Sequence, residues 1–112
     1  MKLPNPERAV VEREKIVGYL LNAAHPDNGG KAQFFDQLGF RRNEWETLAS
    51  ALRAIAVEAE VAQSLRSPHG QKYVILGQIE SPAGKSTMVK TIGIADSGLE
   101  VARLVTAYPH ES

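Results

Sequence analysis

A chain of 112 residues, with 13 basic and 13 acidic side chains and no cysteine, has room for one domain with its own core. It excludes disulfides, thiolate metal sites and a cysteine nucleophile. Charge divides evenly, with 8 basic and 9 acidic residues in 1–62 and 5 and 4 in 63–112, so the broad footprint of a non-specific nucleic-acid binder is missing. No apolar run reaches the length of a signal peptide or a membrane span, which points to a cytoplasmic protein with no membrane partner.

Pro4 and Pro6 start the chain extended. Ala9-Val10-Val11 reads as a short strand or a packing arm. Ile16, Val17, Leu20 and Leu21 recur at helical spacing and predict a helix over about 12–21, with Glu12 and Glu14 at the positive end of its dipole. Asn22 to Gly30 is a loop. A short helix follows over about 31–38, with Phe34, Phe35 and Leu38 inward and Gly39 at the left-handed C-cap. Asn43 and Glu46 have capping-box spacing. They open a third helix over about 44–61, whose stripe is Leu48, Leu52, Ile55, Ala56 and Ala59.

Beyond Ser64–Gly70, read as a loop, the period changes to two. Strands are predicted over about 71–79, 87–94 and 102–108, joined by turns at Ser81–Lys85 and Ala95–Gly98 and stopped by Pro109. Short turns between consecutive strands imply an antiparallel meander. The expectation is a single α+β domain over 1–112. Its helices occupy about 9–62 and pack on a sheet over about 70–109.

Two stretches invite a chemical reading. In His25-Pro-Asp-Asn-Gly-Gly-Lys31, two glycines precede a helix start, where backbone N–H groups favour an anion. Lys31 adds charge there, and His25 is able to act as acid or base near neutral pH. The same residues also suit an ordinary loop. In Val105-Thr-Ala-Tyr-Pro109, alternation puts Thr106 and Tyr108 on one face with Ala102 and Leu104, and Arg103 with Val105 and Ala107 on the other. A hydroxyl beside a phenol holds a phosphate or donates a proton; equally, both residues are good strand formers. Lys90 shares an apolar strand face with Met88 and Ile92, and Lys72 poses the same question with Val74 and Leu76. The histidine spacing does not suggest a metal site, and no motif calls for a cofactor.

Taken together, Leu20-Leu-Asn22, His25-Pro26, Gly29-Gly-Lys-Ala32, Phe34-Phe35, Leu38-Gly-Phe40, Trp45, Leu48, Tyr73-Val74 and Leu104-Val-Thr-Ala-Tyr-Pro109 resemble a bacterial family of unknown function. Its members occur as short stand-alone proteins and as C-terminal modules of polymorphic toxins. The resemblance runs from about Lys2 to Pro109. Its layout and toxin setting are similar to the barnase–EndoU–RelE-like ribonuclease toxins, in which a base activates the ribose 2′-hydroxyl, cations stabilise the phosphorane and an acid protonates the leaving oxygen, without a metal ion. The resemblance therefore implies a toxin of a toxin–antitoxin pair acting on RNA. His25 would be base or acid, Lys31 and Lys90 would stabilise phosphate charge, and Thr106 with Tyr108 would orient phosphate or donate a proton. A small cognate antitoxin or immunity protein would be its partner. The sequence departs from that pattern at Gly93, where relatives often carry a bulky aromatic, which predicts a weaker strand locally. The alternative is a non-catalytic partner-binding module, of immunity, antitoxin-like or regulatory kind, and the neutral charge balance favours it.

Overall fold

The computed structural model describes residues 1–110. Three helices precede a four-stranded antiparallel meander in the order β1-β2-β3-β4. Helix α1 opens at Arg13–Lys15 and widens to π-helical pitch over Ile16–Leu20, where Leu21 N–H donates to Ile16 C=O (2.8 Å). Helix α2 is Lys31–Gln37 and α3 is Trp45–Glu58. The strands are β1 Val61–Ser67, β2 Gly70–Glu80, β3 Ser86–Asp96 and β4 Arg103–Pro109.

Most helix boundaries follow the sequence pattern. Gly39 (φ 96°) closes α2: Gly39 N–H donates to Asp36 C=O and Phe40 N–H to Phe35 C=O, the paired bonds of a Schellman end. The expected Asn43–Glu46 cap does not form. Arg42–Glu44 is a 3₁₀ turn, and α3 starts at Trp45 without a side-chain cap. Helix α3 also ends sooner than expected, at Glu58, because the chain turns extended at Ala59 (ψ 153°). Val61–Ser67, read partly as helix and partly as loop, is the first strand of the sheet.

One face of the sheet carries the core. Tyr73, Ile75, Ile79, Val89, Ala95 and Ala107 pack with Ile16, Leu20, Phe35, Phe40, Leu48 and Leu52 of the helical half. Gly77 lies where α3 crosses β2, and a Cβ there would sit 2.6 Å from Ile55 Cγ2. Gly77→Val should therefore overpack this crossing and cost about 1–3 kcal/mol, read as a lower midpoint in thermal or urea unfolding. The opposite face, which includes Lys72, Val74, Leu76, Met88, Lys90 and Ile92 by register, has no helix over it.

The last strand departs from simple alternation. Ile92 pairs with Thr106 but Gly93 pairs with Leu104, so Val105 is an extra residue, a β-bulge opposite Gly93. The faces expected for β4 are corrected by it. Leu104 packs against the core, and Arg103, paired with Ile94, returns to the open face of Thr106 and Tyr108. β3 itself runs unbroken through Gly93. A Cβ at Gly93 would sit 3.1 Å from Arg103 C=O, and an apolar pocket of about 30 Å³ lies beside it between Leu3, Leu52 and Tyr73. The outer edge of β4 is held at its start by the Ala9–Val11 arm: Val10 N–H donates to Ala102 C=O and Leu104 N–H to Val10 C=O, both 2.9 Å.

Candidate functional site

Beyond that arm, helix α1 and the loop after it lie along the edge of β4. The loop is shaped by one buried polar residue. Asn28 Nδ2 donates to Tyr19 C=O (2.6 Å) and Leu20 C=O (3.4 Å), and its Oδ1 accepts from Ala32 N–H (2.9 Å). Asn28 thus ties the π-helical end of α1 to the first turn of α2. Lys31 N–H is also taken, by Asn28 C=O (3.2 Å). Of the amides at the start of α2, those of Lys31 and Ala32 are therefore engaged within the loop, and the positive charge there is the Lys31 ammonium.

Tyr19 brings the expected residues together. Its hydroxyl shares a hydrogen bond with Thr106 Oγ1 (2.9 Å), and its ring meets the His25 ring edge-on at 5.0 Å. Lys15 and Lys31 Nζ each lie 5.5 Å from the same ring centroid. Lys31 Nζ is also 5.9 Å from the Tyr108 ring, as is Lys90 Nζ. His25, Lys31, Lys90, Thr106 and Tyr108, drawn from the loop, the start of α2 and two strands, form one contiguous cluster. It opens as two adjoining hollows. Tyr19, His25 and Thr106 line the larger with Lys15, Arg103 and the carboxylates of Glu12, Glu14 and Asp27. Lys31 and Tyr108 line the smaller, with Gly29, Gly30 and Pro109. Lys31 lines only the smaller, but its ammonium is 5.5 Å from the ring of Tyr19, which lines the larger.

The hydrogen bonds limit what each group can do. His25 Nδ1 accepts from Asp27 N–H (3.0 Å), so the neutral ring carries its proton on Nε2 and offers a ligand a donor. Lys31 Nζ donates to Asn28 C=O (3.0 Å) and, at 3.5 Å, to Asp27 C=O, which leaves one of its three N–H groups for a ligand. Lys90 pairs across the ladder with Tyr108 and faces no carboxylate among the described residues. Lys72, the other lysine singled out, lies two strands from this edge and takes no part.

At the far end of the larger hollow, Arg103 Nε and Nη2 donate to both Asp96 oxygens (3.0 and 3.2 Å). That fork, outweighing partial desolvation, holds the Asp96 carboxyl below its ordinary value and raises Arg103. A carboxyl lowered on folding stabilises the fold above its unfolded pKa and loses that contribution as pH falls through the folded one. The melting difference between the native chain and Asp96→Asn should accordingly be constant near neutrality and shrink below about pH 4. Both groups are half-exposed, so the difference is small.

Sequence reasoning missed Tyr19. The available signal was a phenol beside a buried helical stripe, which must give its hydroxyl a partner or water. Among the described residues, no group of three His, Asp or Glu side chains is placed to hold a metal ion. No helix there is long and apolar enough to cross a membrane.

The model of a family described as a domain of unknown function, DUF6883, matches residues 2–111. No curated protein matches the sequence. A chain in the structure of a contact-dependent growth inhibition toxin–immunity protein complex from Klebsiella pneumoniae 342 is similar in fold. Its TM-score is 0.73 at 16% identity, over 91% of this chain and 100% of that one.

Proposed function

The chain belongs to the DUF6883 family, and we propose that it is a toxin that cleaves RNA without a metal ion and is held in check by a small cognate protein. The observation that carries this reading is the position of Lys31, whose ammonium lies within 6 Å of both the Tyr19 and the Tyr108 rings. It joins the polar cluster of the loop to that of the last strand. The fold shared with a chain of a toxin–immunity complex supports the setting.

In this reading the scissile phosphate sits at Lys31. The ribose 2′-oxygen attacks phosphorus from the larger hollow, and its proton passes to one of the carboxylates there, Glu12, Glu14 or Asp27. The bond from phosphorus to the 5′-oxygen breaks on the Tyr108 side, where the phenol gives its proton to the leaving oxygen. The products are a 2′,3′-cyclic phosphate and a 5′-hydroxyl. Lys31 and Lys90 flank the Tyr108 ring and stabilise the phenolate as it forms, while Lys31 and the His25 Nε2–H meet the charge growing on the phosphorane. Thr106, tied to the Tyr19 hydroxyl, orients that ring and lends its own hydroxyl to the phosphate.

The test is incubation of the purified chain with a short RNA in excess chelator, followed by end-group analysis. Cleavage to cyclic phosphate and 5′-hydroxyl ends, with growth arrest on induction, is the expected result. An intact, folded chain that neither cleaves RNA nor arrests growth removes the reading. A binding module without catalysis then takes its place, favoured by the uncovered face of the sheet.

A further inference from the structure

The sheet face turned away from the helices is unlike an ordinary solvated face. By register it presents Leu65, Val74, Leu76, Met88, Ile92 and Ile94. No helix of the described residues covers it; Val74 is 5% exposed, while Leu65 and Met88 stand 43% and 39% exposed. A half-buried lysine sits within this apolar field on each central strand: Lys72 opposite Ile94 and Lys90 opposite Leu76. Such side chains lay their stems on apolar surface and keep the ammonium in water. The carboxylates of this face lie at its ends and are engaged. Asp96 is forked to Arg103, and Glu80 accepts from the Ser86 hydroxyl (2.8 Å). Among the described residues the middle of the face, Gln63 and Gln78 apart, is therefore apolar and carries only positive free charge.

We infer that this face is the docking surface for a small protein whose contact surface is acidic around an apolar centre. Contiguous exposed apolar patches on a sheet mark interaction sites, and complementary charge sets register and rate of encounter. A second copy of the chain would bring the same positive free charge to both sides and no carboxylate to meet it. A nucleic acid would need phosphate-binding cations in a row and stacking rings, whereas on this face β1 to β3 offer six apolar side chains, two separated lysines, Gln63 and Gln78, and no aromatic ring. Its β4 margin is shared with the candidate site, because Lys90 and Tyr108 are a cross-strand pair on this side. A protein seated on the face covers both. If the ribonuclease reading of that site holds, docking is also inhibition.

The test uses a display library of fragments from the genome that encodes the chain, sorted on the intact folded protein. Enriched fragments should be net acidic. Their affinity should fall about 100-fold for Leu76→Glu and about tenfold for Lys72→Glu, with folding of each variant checked by circular dichroism. Leu65→Glu, on the strand farthest from the site, should weaken docking yet leave RNA cleavage unchanged. The inference is overturned if nothing is enriched, if the enriched fragments are basic, or if they bind all three variants as well as the native chain. Amide shifts of Leu76 and Ile92 on adding a short RNA, in place of a fragment, would assign the face to nucleic acid and overturn it too. The two readings fail separately: an inert chain whose fragments bind as described loses catalysis and keeps the face, and a chain that cleaves RNA but binds no fragment does the reverse.

Discussion

Tyr108→Phe should lower single-turnover RNA cleavage by about 10²–10⁴-fold, the usual worth of a general acid. That loss corresponds to roughly 3–5 kcal/mol of barrier. The substitution removes one oxygen and keeps the ring, so the Lys31 and Lys90 ammonium groups retain their aromatic neighbour and the fold should be unchanged. The leaving 5′-oxygen must then depart unprotonated or wait for water. An RNA with a better leaving group at the 5′ position should recover most of the lost rate, which a merely structural role of Tyr108 would not produce. Lys31→Ala should cost a similar factor, because no other cation adjoins both rings of the pair. Lys90→Ala should cost about tenfold, since Lys31 still faces the phenolate. His25→Ala should fall between them. Cleavage by Tyr108→Phe within twofold of the native rate would sink the assignment of the acid. These losses should also appear in cells as relief of growth arrest, in the same order.

How far the site could be read in advance differs between its parts. His25, Lys31, Lys90, Thr106 and Tyr108 stood out as polar groups in conspicuous stretches, and the chain does bring them together. What joins them was not legible. Tyr19 reaches Thr106 and His25 from the π-helical end of α1, and an apolar period of 3.6 does not reveal that one turn will widen. The faces of β4 were misread from Leu104 back because the bulge at Val105 depends on the partner strand, where Gly93 offers no side chain to pack. β1 escaped for a related reason. Its five central residues are all exposed, so neither face carries the hydrophobic alternation by which a strand is recognised. Pairing with β2 alone makes it a strand. The helices and strands β2 and β3, by contrast, each bury a face and so wrote their period into the sequence.

The residue on which the site most depends for its shape is one that reads as ordinary loop chemistry. Asn28 is 3% exposed. Its amide is bonded on both sides, by Nδ2 to the carbonyls of Tyr19 and Leu20 and by Oδ1 to the Ala32 amide. Asn28→Leu would take the partner from the buried Leu20 carbonyl and Ala32 amide and leave the Tyr19 carbonyl with the Asn22 amide alone. A buried polar group left without its partner costs about 1–3 kcal/mol, so the total should be about 3 kcal/mol after relaxation. In a chain of this size that lowers the melting midpoint by on the order of 10–15 °C. Asn28→Asp separates the two halves of the role. It keeps the acceptor for Ala32 N–H but replaces the donor with a charge aimed at two carbonyls, so it should be at least as damaging at neutral pH and recover in part in acid, where the protonated carboxyl can donate again. Asn28→Ser, too short to span from Ala32 to Tyr19, should not recover. The Tyr19 carbonyl loses the shorter of its two hydrogen bonds, so each variant that still folds should also loosen Tyr19 from Thr106 and lose RNA cleavage beyond what its stability explains. Equal melting midpoints for Asn28→Leu and the native chain would show that the loop closes without this residue.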